Sequence, residues 1–271
     1  MLRSRAAQLA LIVVLAGLGF AITARLDGDA RTPRRVVDTS FRAPDASGWG
    51  RAGGLDYLEA MRGGAKPSER VPMVILIHGL GDSPRQDWLD LVASDVRVRV
   101  VMPRAPLPWN AGGYAWFPFR VGDDQTASLA KTLEPAAQQL AAAIASLAAQ
   151  RPTQGAPIVA GFSQGGMLSF ALATKYPERY AFVLPIAGGL PAVMWPGRAP
   201  AGASRLPIRA LHGAEDSIVP IEPARRLVKH LQTLGFDAKL SEFPGLGHSI
   251  DPEVRERVIR ELSAATRNVH P

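Results

Sequence analysis

The sequence predicts an α/β fold, a mostly parallel sheet with helices packed on both faces. Three observations predict it. Short apolar runs alternate with longer amphipathic stretches from near residue 71 to near residue 265. The first run, VPMVILI at 71–77, is apolar without a break, as in a strand covered on both sides. Strands that alternate with helices pair in parallel through right-handed crossovers, which sets helices on both faces. A chain of 271 residues, 47% hydrophobic and 20% charged, is long enough for one such domain and is not collagen-like, low-complexity or disordered.

The elements follow in order. After the strand at 71–77, VRVRVVM at 96–102 is a second strand, closed by Pro103; its Arg97 and Arg99 predict that one face of its first half meets water. Leu129, Leu133, Ala136, Leu140, Ile144 and Leu147 form one apolar stripe at helical spacing, so 127–149 is a helix. Pro135 predicts either a kink there or a true start near Leu133. Strands at 157–160, 182–186, 207–211 and 238–243 alternate with helices at 165–176, 222–234 and 253–265. Two Gly- and Pro-rich loops, 103–126 and 188–205, are long enough to expect function in them.

Ahead of this body, Arg3 and Arg5 precede an apolar run at 6–23. Residues 1–24 therefore read as a signal peptide or an N-terminal membrane anchor, with the rest exported or held at the inner membrane facing the periplasm or the outside. Residues 25–69 read as a tether and leading segment with an opening strand or hairpin, and 70–271 as the α/β domain. Of the net charge of +7, residues 1–35 carry +4, so the body is nearly neutral and does not resemble a nucleic-acid binder. The absence of Cys removes disulfides, Cys-ligated metals and a Cys nucleophile. No H-E-x-x-H or His cluster suggests a metal.

Gly161-Phe162-Ser163-Gln164-Gly165-Gly166 contains G-x-S-x-G, directly after an apolar run and directly before a helix. That context matches a strand–turn–helix elbow, which holds a serine hydroxyl on a strained turn, as in α/β-hydrolases. A serine hydroxyl needs a base within reach. In that fold the chain order is Ser, acid, His, which selects His248 in PGLGH over His212. Between them lie Glu215 and Asp216; adjacent residues point apart, and Asp216 is taken as the acid that orients the imidazole. The backbone N–H of Gln164 and, from the loop HGLGDS at 78–83, that of Leu80 are the expected oxyanion donors. Trp109, Tyr114, Trp116, Phe117, Met194 and Trp195 lie in the two long loops; Trp116, Phe117, Met194 and Trp195 are the candidates for lining an acyl pocket.

HGLGDS, the PRAP-to-AWF stretch at 103–117, GFSQGG, HGAEDSIVP at 212–220 and GLGHSI at 245–250 resemble the carboxylesterase/phospholipase family of α/β-hydrolases, over about residues 70–265. The resemblance implies Ser163, Asp216 and His248 as a triad, Leu80 and Gln164 as the oxyanion pair, and cofactor-free hydrolysis of carboxylic esters or thioesters. Members of the family are commonly cytosolic, unlike the location that the leader implies. The expected partner is a small-molecule or lipid ester, with membrane association through residues 6–23. The rival expectations are a lysophospholipase using the same triad and a catalytically idle, envelope-anchored binding module.

Overall fold

Strand β4 (Met73–Ile77) is buried at every residue because both of its faces are covered. Met73, Ile75 and Ile77 pack into one apolar layer, Val74 and Leu76 into the other. The computed structural model describes residues 40–118 and 127–269; the segment 1–24 expected as a leader, and the apolar run 6–23 expected to associate with a membrane, lie outside the described residues. On one side of β4 lies β5 (Val98–Pro103) and on the other β8 (Ile158–Phe162), both parallel to it. Beyond β8 the parallel sheet continues through β9 (Phe182–Ile186), β10 (Ile208–Gly213) and β11 (Ala238–Phe243).

Beyond β5 the sheet is antiparallel, through β3 (Leu55–Arg62), β2 (Trp49–Ala52) and β1 (Phe41–Arg42). The full order is β1-β2-β3-β5-β4-β8-β9-β10-β11. The sheet thus extends back into the leading segment, well upstream of residue 70. Helices α1 (Ala127–Gln150), α2 (Gln164–Lys175) and α3 (Ile221–Thr233) contribute to one apolar layer. Helix α4 (Pro252–Arg267) and a 3₁₀ turn, Gln86–Leu91, contribute to the other. Helix α1 runs through Pro135 rather than starting at it. Among the described residues no helix is long and apolar enough to cross a membrane.

The expectation that Arg99 faces water is corrected. Arg99 is 0% exposed, on the α1 side of β5. It donates to Glu59 Oε1 at 2.6 Å and to the Pro67 carbonyl at 2.7 Å. Arg151, just after α1, grips the same carboxylate with two donors at 2.6 and 3.0 Å. A guanidinium out of water needs such a partner, and the partner comes from β3, a strand that alternation within 96–102 does not reveal. Arg97 is exposed.

The chain reverses its direction of travel across the sheet at β4: its next strand lies to one side and β8 to the other. In open α/β sheets such a switch point leaves a crevice beyond the carboxyl ends of the strands. The segments after β4, β8, β10 and β11 all leave from that end.

Candidate active site

Ser163 follows β8 and precedes α2, with φ 57° and ψ −117°. A non-glycine residue held there costs of order 1–3 kcal/mol and persists only where its surroundings over-determine it. Its N–H donates to the Ile186 carbonyl at 2.9 Å, and its carbonyl accepts from Met167 N at 2.9 Å. The turn closes because no side chain obstructs it. A Cβ on Gly161 would lie 2.3 Å from the Gly165 carbonyl oxygen, and one on Gly165 would lie 2.1 Å from that of Ile77.

His248, in the loop after β11, meets the serine: its Nε2 lies 2.9 Å from Ser163 Oγ. Its Nδ1 lies 2.7 Å from Asp216 Oδ2, so Nδ1–H donates to the carboxylate and Nε2 is left to accept from the hydroxyl. The Phe162 ring packs against the imidazole, centroids 4.8 Å apart. Asp216 is buried, and its other oxygen accepts from Ile218 N at 2.9 Å and Val219 N at 2.8 Å. Glu215 beside it is exposed. The structure therefore brings Ser163, His248 and Asp216 into one hydrogen-bonded line.

His212 does not join the line. Its Nε2–H donates to the Val219 carbonyl at 2.8 Å, fastening the two ends of the loop that carries Asp216, and it lies 3.4 Å from Asp216 Oδ2. Burial pushes its pKa below the usual 6.5, against the bond to Val219 and the charge of Asp216. His78 is buried as well. Its Nδ1–H donates to the Gly79 carbonyl at 2.8 Å, and its Nε2 accepts from Ala105 N at 3.1 Å. Burial lowers its pKa too. In a planar trans peptide the C=O and N–H point apart, so a Gly79 carbonyl turned toward His78 turns the Leu80 N–H away from it. Among the described residues, neither the Leu80 N–H nor the Gln164 N–H has an acceptor. This loop runs beside the serine: a Cβ on Gly79 would lie 3.2 Å from Ser163 Cβ.

Two short strands, β6 (Leu107–Pro108) and β7 (Tyr114–Ala115), make a flap in the loop after β5. The flap is tied to the 78–83 loop by Gly81 N to the Tyr114 carbonyl and Tyr114 N to the Asp82 carbonyl, both 2.9 Å. Arg104 steadies its base, ion-paired with Asp56 and stacked between Trp49 and Tyr114. Trp116 and Phe117, expected as pocket lining, are buried, at 3% and 1% exposed. The Gln164 side chain accepts from Trp116 N at 2.9 Å and donates to the Phe117 carbonyl at 3.1 Å. Trp116 Nε1–H reaches the His78 carbonyl at 2.9 Å. Met194 is half-buried against the core, and Trp195 stands in the wall of a pocket of about 440 Å³. That pocket is otherwise lined by Met167, Leu190, Val219 and other mostly apolar groups, with Arg226 among them. The roles of His78, His212 and the Gln164 side chain escape sequence reading, because their partners lie on other segments or belong to the backbone. Among the described residues no group of acidic or His side chains could hold a metal.

A family model described as phospholipase/carboxylesterase matches residues 63–265. An acyl-protein thioesterase 1 from Mycosarcoma maydis is 30% identical over 241 residues, covering 78% of this chain and 95% of that protein. A protein of Oryza sativa subsp. japonica named as a probable inactive carboxylesterase is 28% identical over 195 residues, covering 67% of this chain and 80% of that one. Among solved structures, esterase PE8 matches with a TM-score of 0.63 at 26% identity, over 76% of this chain and 99% of that one. The comparisons overturn the exported or inner-membrane-anchored location expected from residues 6–23: the relatives include several acyl-protein thioesterases, from a family whose members are commonly cytosolic.

Proposed function

The chain belongs to the phospholipase/carboxylesterase family and is an ester hydrolase, and from that premise we propose that it works through an acyl-enzyme formed on Ser163. The observation that carries this reading is the continuous line from Asp216 through His248 to Ser163, at 2.7 and 2.9 Å. Ser163 Oγ attacks the acyl carbon as its proton passes to His248 Nε2. Asp216 holds the imidazole in the tautomer that can accept that proton and stabilises the imidazolium. The free N–H groups of Leu80 and Gln164 receive the oxyanion, and each such donor contributes about 3–4 kcal/mol to the transition state. The tetrahedral carbon then expels the alcohol or thiol, which takes the proton from Nε2. Water repeats the sequence, releasing the acid and freeing the serine.

The pocket of about 440 Å³ supports an acyl chain as the group held beside Ser163, since Met167 in its wall lies one helical turn beyond the serine. Each methylene buried there contributes about 0.8 kcal/mol. Carboxylic esters are the substrates proposed, lipid esters and lysophospholipids among them, and thioesters are supported by the relatives named acyl-protein thioesterase.

A fluorophosphonate probe and the Ser163→Ala variant test this reading. The wild-type protein labels at Ser163, and the variant neither labels nor retains more than about a millionth of kcat on 4-nitrophenyl butyrate. Wild-type esterase activity in purified Ser163→Ala protein overturns the assignment. A folded wild-type protein that neither labels nor turns over any ester would instead be an idle binding module; the rice relative is itself named a probable inactive carboxylesterase.

A further inference from the structure

A second pocket, of about 240 Å³, shares no lining residue with the acyl pocket. The His248 ring itself forms part of its wall, together with Phe162, Trp88 and Arg255. Position alone gives this space a role in the chemistry. The leaving atom must take its proton from His248 Nε2, so whatever is bonded to that atom lies against the imidazole.

The charges around the pocket are unequally used. Asp82 and Asp87 line it, and both are held by Arg85, at 2.9 and 2.8 Å. Asp82 also accepts from Trp88 Nε1 at 3.1 Å and Ser83 N at 2.8 Å. Arg255 stands in the first turn of α4, half-buried, and its guanidinium has no acceptor among the described residues. The structural cations of this protein behave otherwise: Arg99, Arg104, Arg151 and Arg209 each grip a carboxylate. A planar fork of five donors, partly withdrawn from water and without a protein acceptor, in the same pocket wall as the His248 ring, is suited to an oxyanion.

We propose that this pocket is the leaving-group subsite and that Arg255 selects alcohols or thiols bearing a carboxylate or phosphate. The inference rests on the acyl-enzyme reading above and adds to it the class of the group released. The step is unchanged in its balance: the acyl C–O or C–S bond breaks, the leaving oxygen or sulfur keeps the bonding pair, and it takes the Nε2 proton. Arg255 holds the remote anion while this happens and is a specificity residue.

The test keeps the acyl group constant and varies the alcohol. Butyrate esters of 4-nitrophenol, of 3-carboxy-4-nitrophenol, of glycerol 3-phosphate and of choline supply neutral, carboxylate, phosphate and cationic leaving groups. Arg255→Gln is compared with wild type on each, so that the intrinsic reactivity of each ester cancels. The variant loses about tenfold more kcat/KM on the carboxylate ester, the phosphate ester or both than on the neutral ester, chiefly in KM. Which of the two suffers more identifies the anion. Arg255→Lys, which keeps the charge without the fork, recovers part of the loss. Equal losses on all four esters overturn the proposal, because they would mean that Arg255 merely shapes the His248 loop. Wild-type preference for the choline ester, each rate taken relative to alkaline hydrolysis, overturns it as well. Either result leaves labelling of Ser163 intact, whereas failure of labelling strikes the parent reading.

Discussion

The 2.7 Å bond from His248 Nδ1–H to Asp216 Oδ2 is the contact on which the imidazole tautomer depends. Asp216→Asn tests it at the scale of single atoms. An amide keeps an oxygen for the Ile218 and Val219 N–H groups and turns its NH₂ toward Nδ1. Two donors cannot face each other, so the ring moves its proton to Nε2 and can no longer accept one from Ser163. The expected result is a fall in kcat of about 10⁴ with a folded protein and little change in KM; a loss under tenfold would remove Asp216 from the proposed machinery. The candidates Ser163, Asp216 and His248 were legible in the sequence because their chemistry leaves local marks: a Gly-flanked serine, an acid after a strand, a histidine in a Gly-rich loop. His78 and His212 carry the same side chain, but their partners, the Ala105 N–H and the Val219 carbonyl, are backbone groups that leave no pattern. Arg99 misled for a related reason, since its alternation is that of an exposed residue and its partner Glu59 stands on another strand.

Among elements, strand β8 and helix α2 approach each other and β4 so closely that backbone touches backbone around Gly165. Gly165→Ala would set a methyl 2.1 Å from the Ile77 carbonyl oxygen, where no flexible side chain can yield. About 3 kcal/mol of stability is lost, read from the urea midpoint of purified protein. A variant as stable as wild type would mean that β4 and α2 can part without cost. Because the same displacement moves the Ser163 turn against the 78–83 loop, activity falls at denaturant concentrations where the fold persists. Elements with a strong local signal, such as the unbroken apolar run of β4 and the apolar stripe of α1, were legible in the sequence. The hairpin of β6 and β7 was not. Its strands are two residues each, and what stabilises it is the bonding of Tyr114 to Gly81 and Asp82 in a distant loop. Strands β1 to β3 were anticipated only as an opening strand or hairpin, because their register is set by pairing with β5 rather than by an alternating pattern of their own.

For the whole molecule, the two buried imidazoles couple folding to pH. Burial lowers the pKa of His78 and of His212 below 6.5, so on acidification the unfolded chain takes up protons that the folded chain refuses. Above pH 6.5 both states are neutral and nothing is gained or lost. Below 6.5 stability falls, by up to about 1.4 kcal/mol per pH unit for each histidine, until the folded-state pKa is passed. Urea unfolding from pH 7.5 downward should therefore show a plateau and then a decline that sets in just under 6.5, before the carboxylates titrate. A midpoint that stays level from 6.5 to 5.5 would mean that both rings accept protons in place. Protonation carries a second penalty at His78, whose Nε2 must stay a bare acceptor for Ala105.

The two pockets draw mostly on separate stretches of chain, one chiefly on residues 189–226 and the other on residues 82–91 and 248–255 together with Phe162. On the proposed assignment, acid and alcohol are chosen by different pieces of inheritance. A lineage, or a laboratory shuffling gene fragments, can retrain the appetite for one half of an ester while the taste for the other half stays as it was.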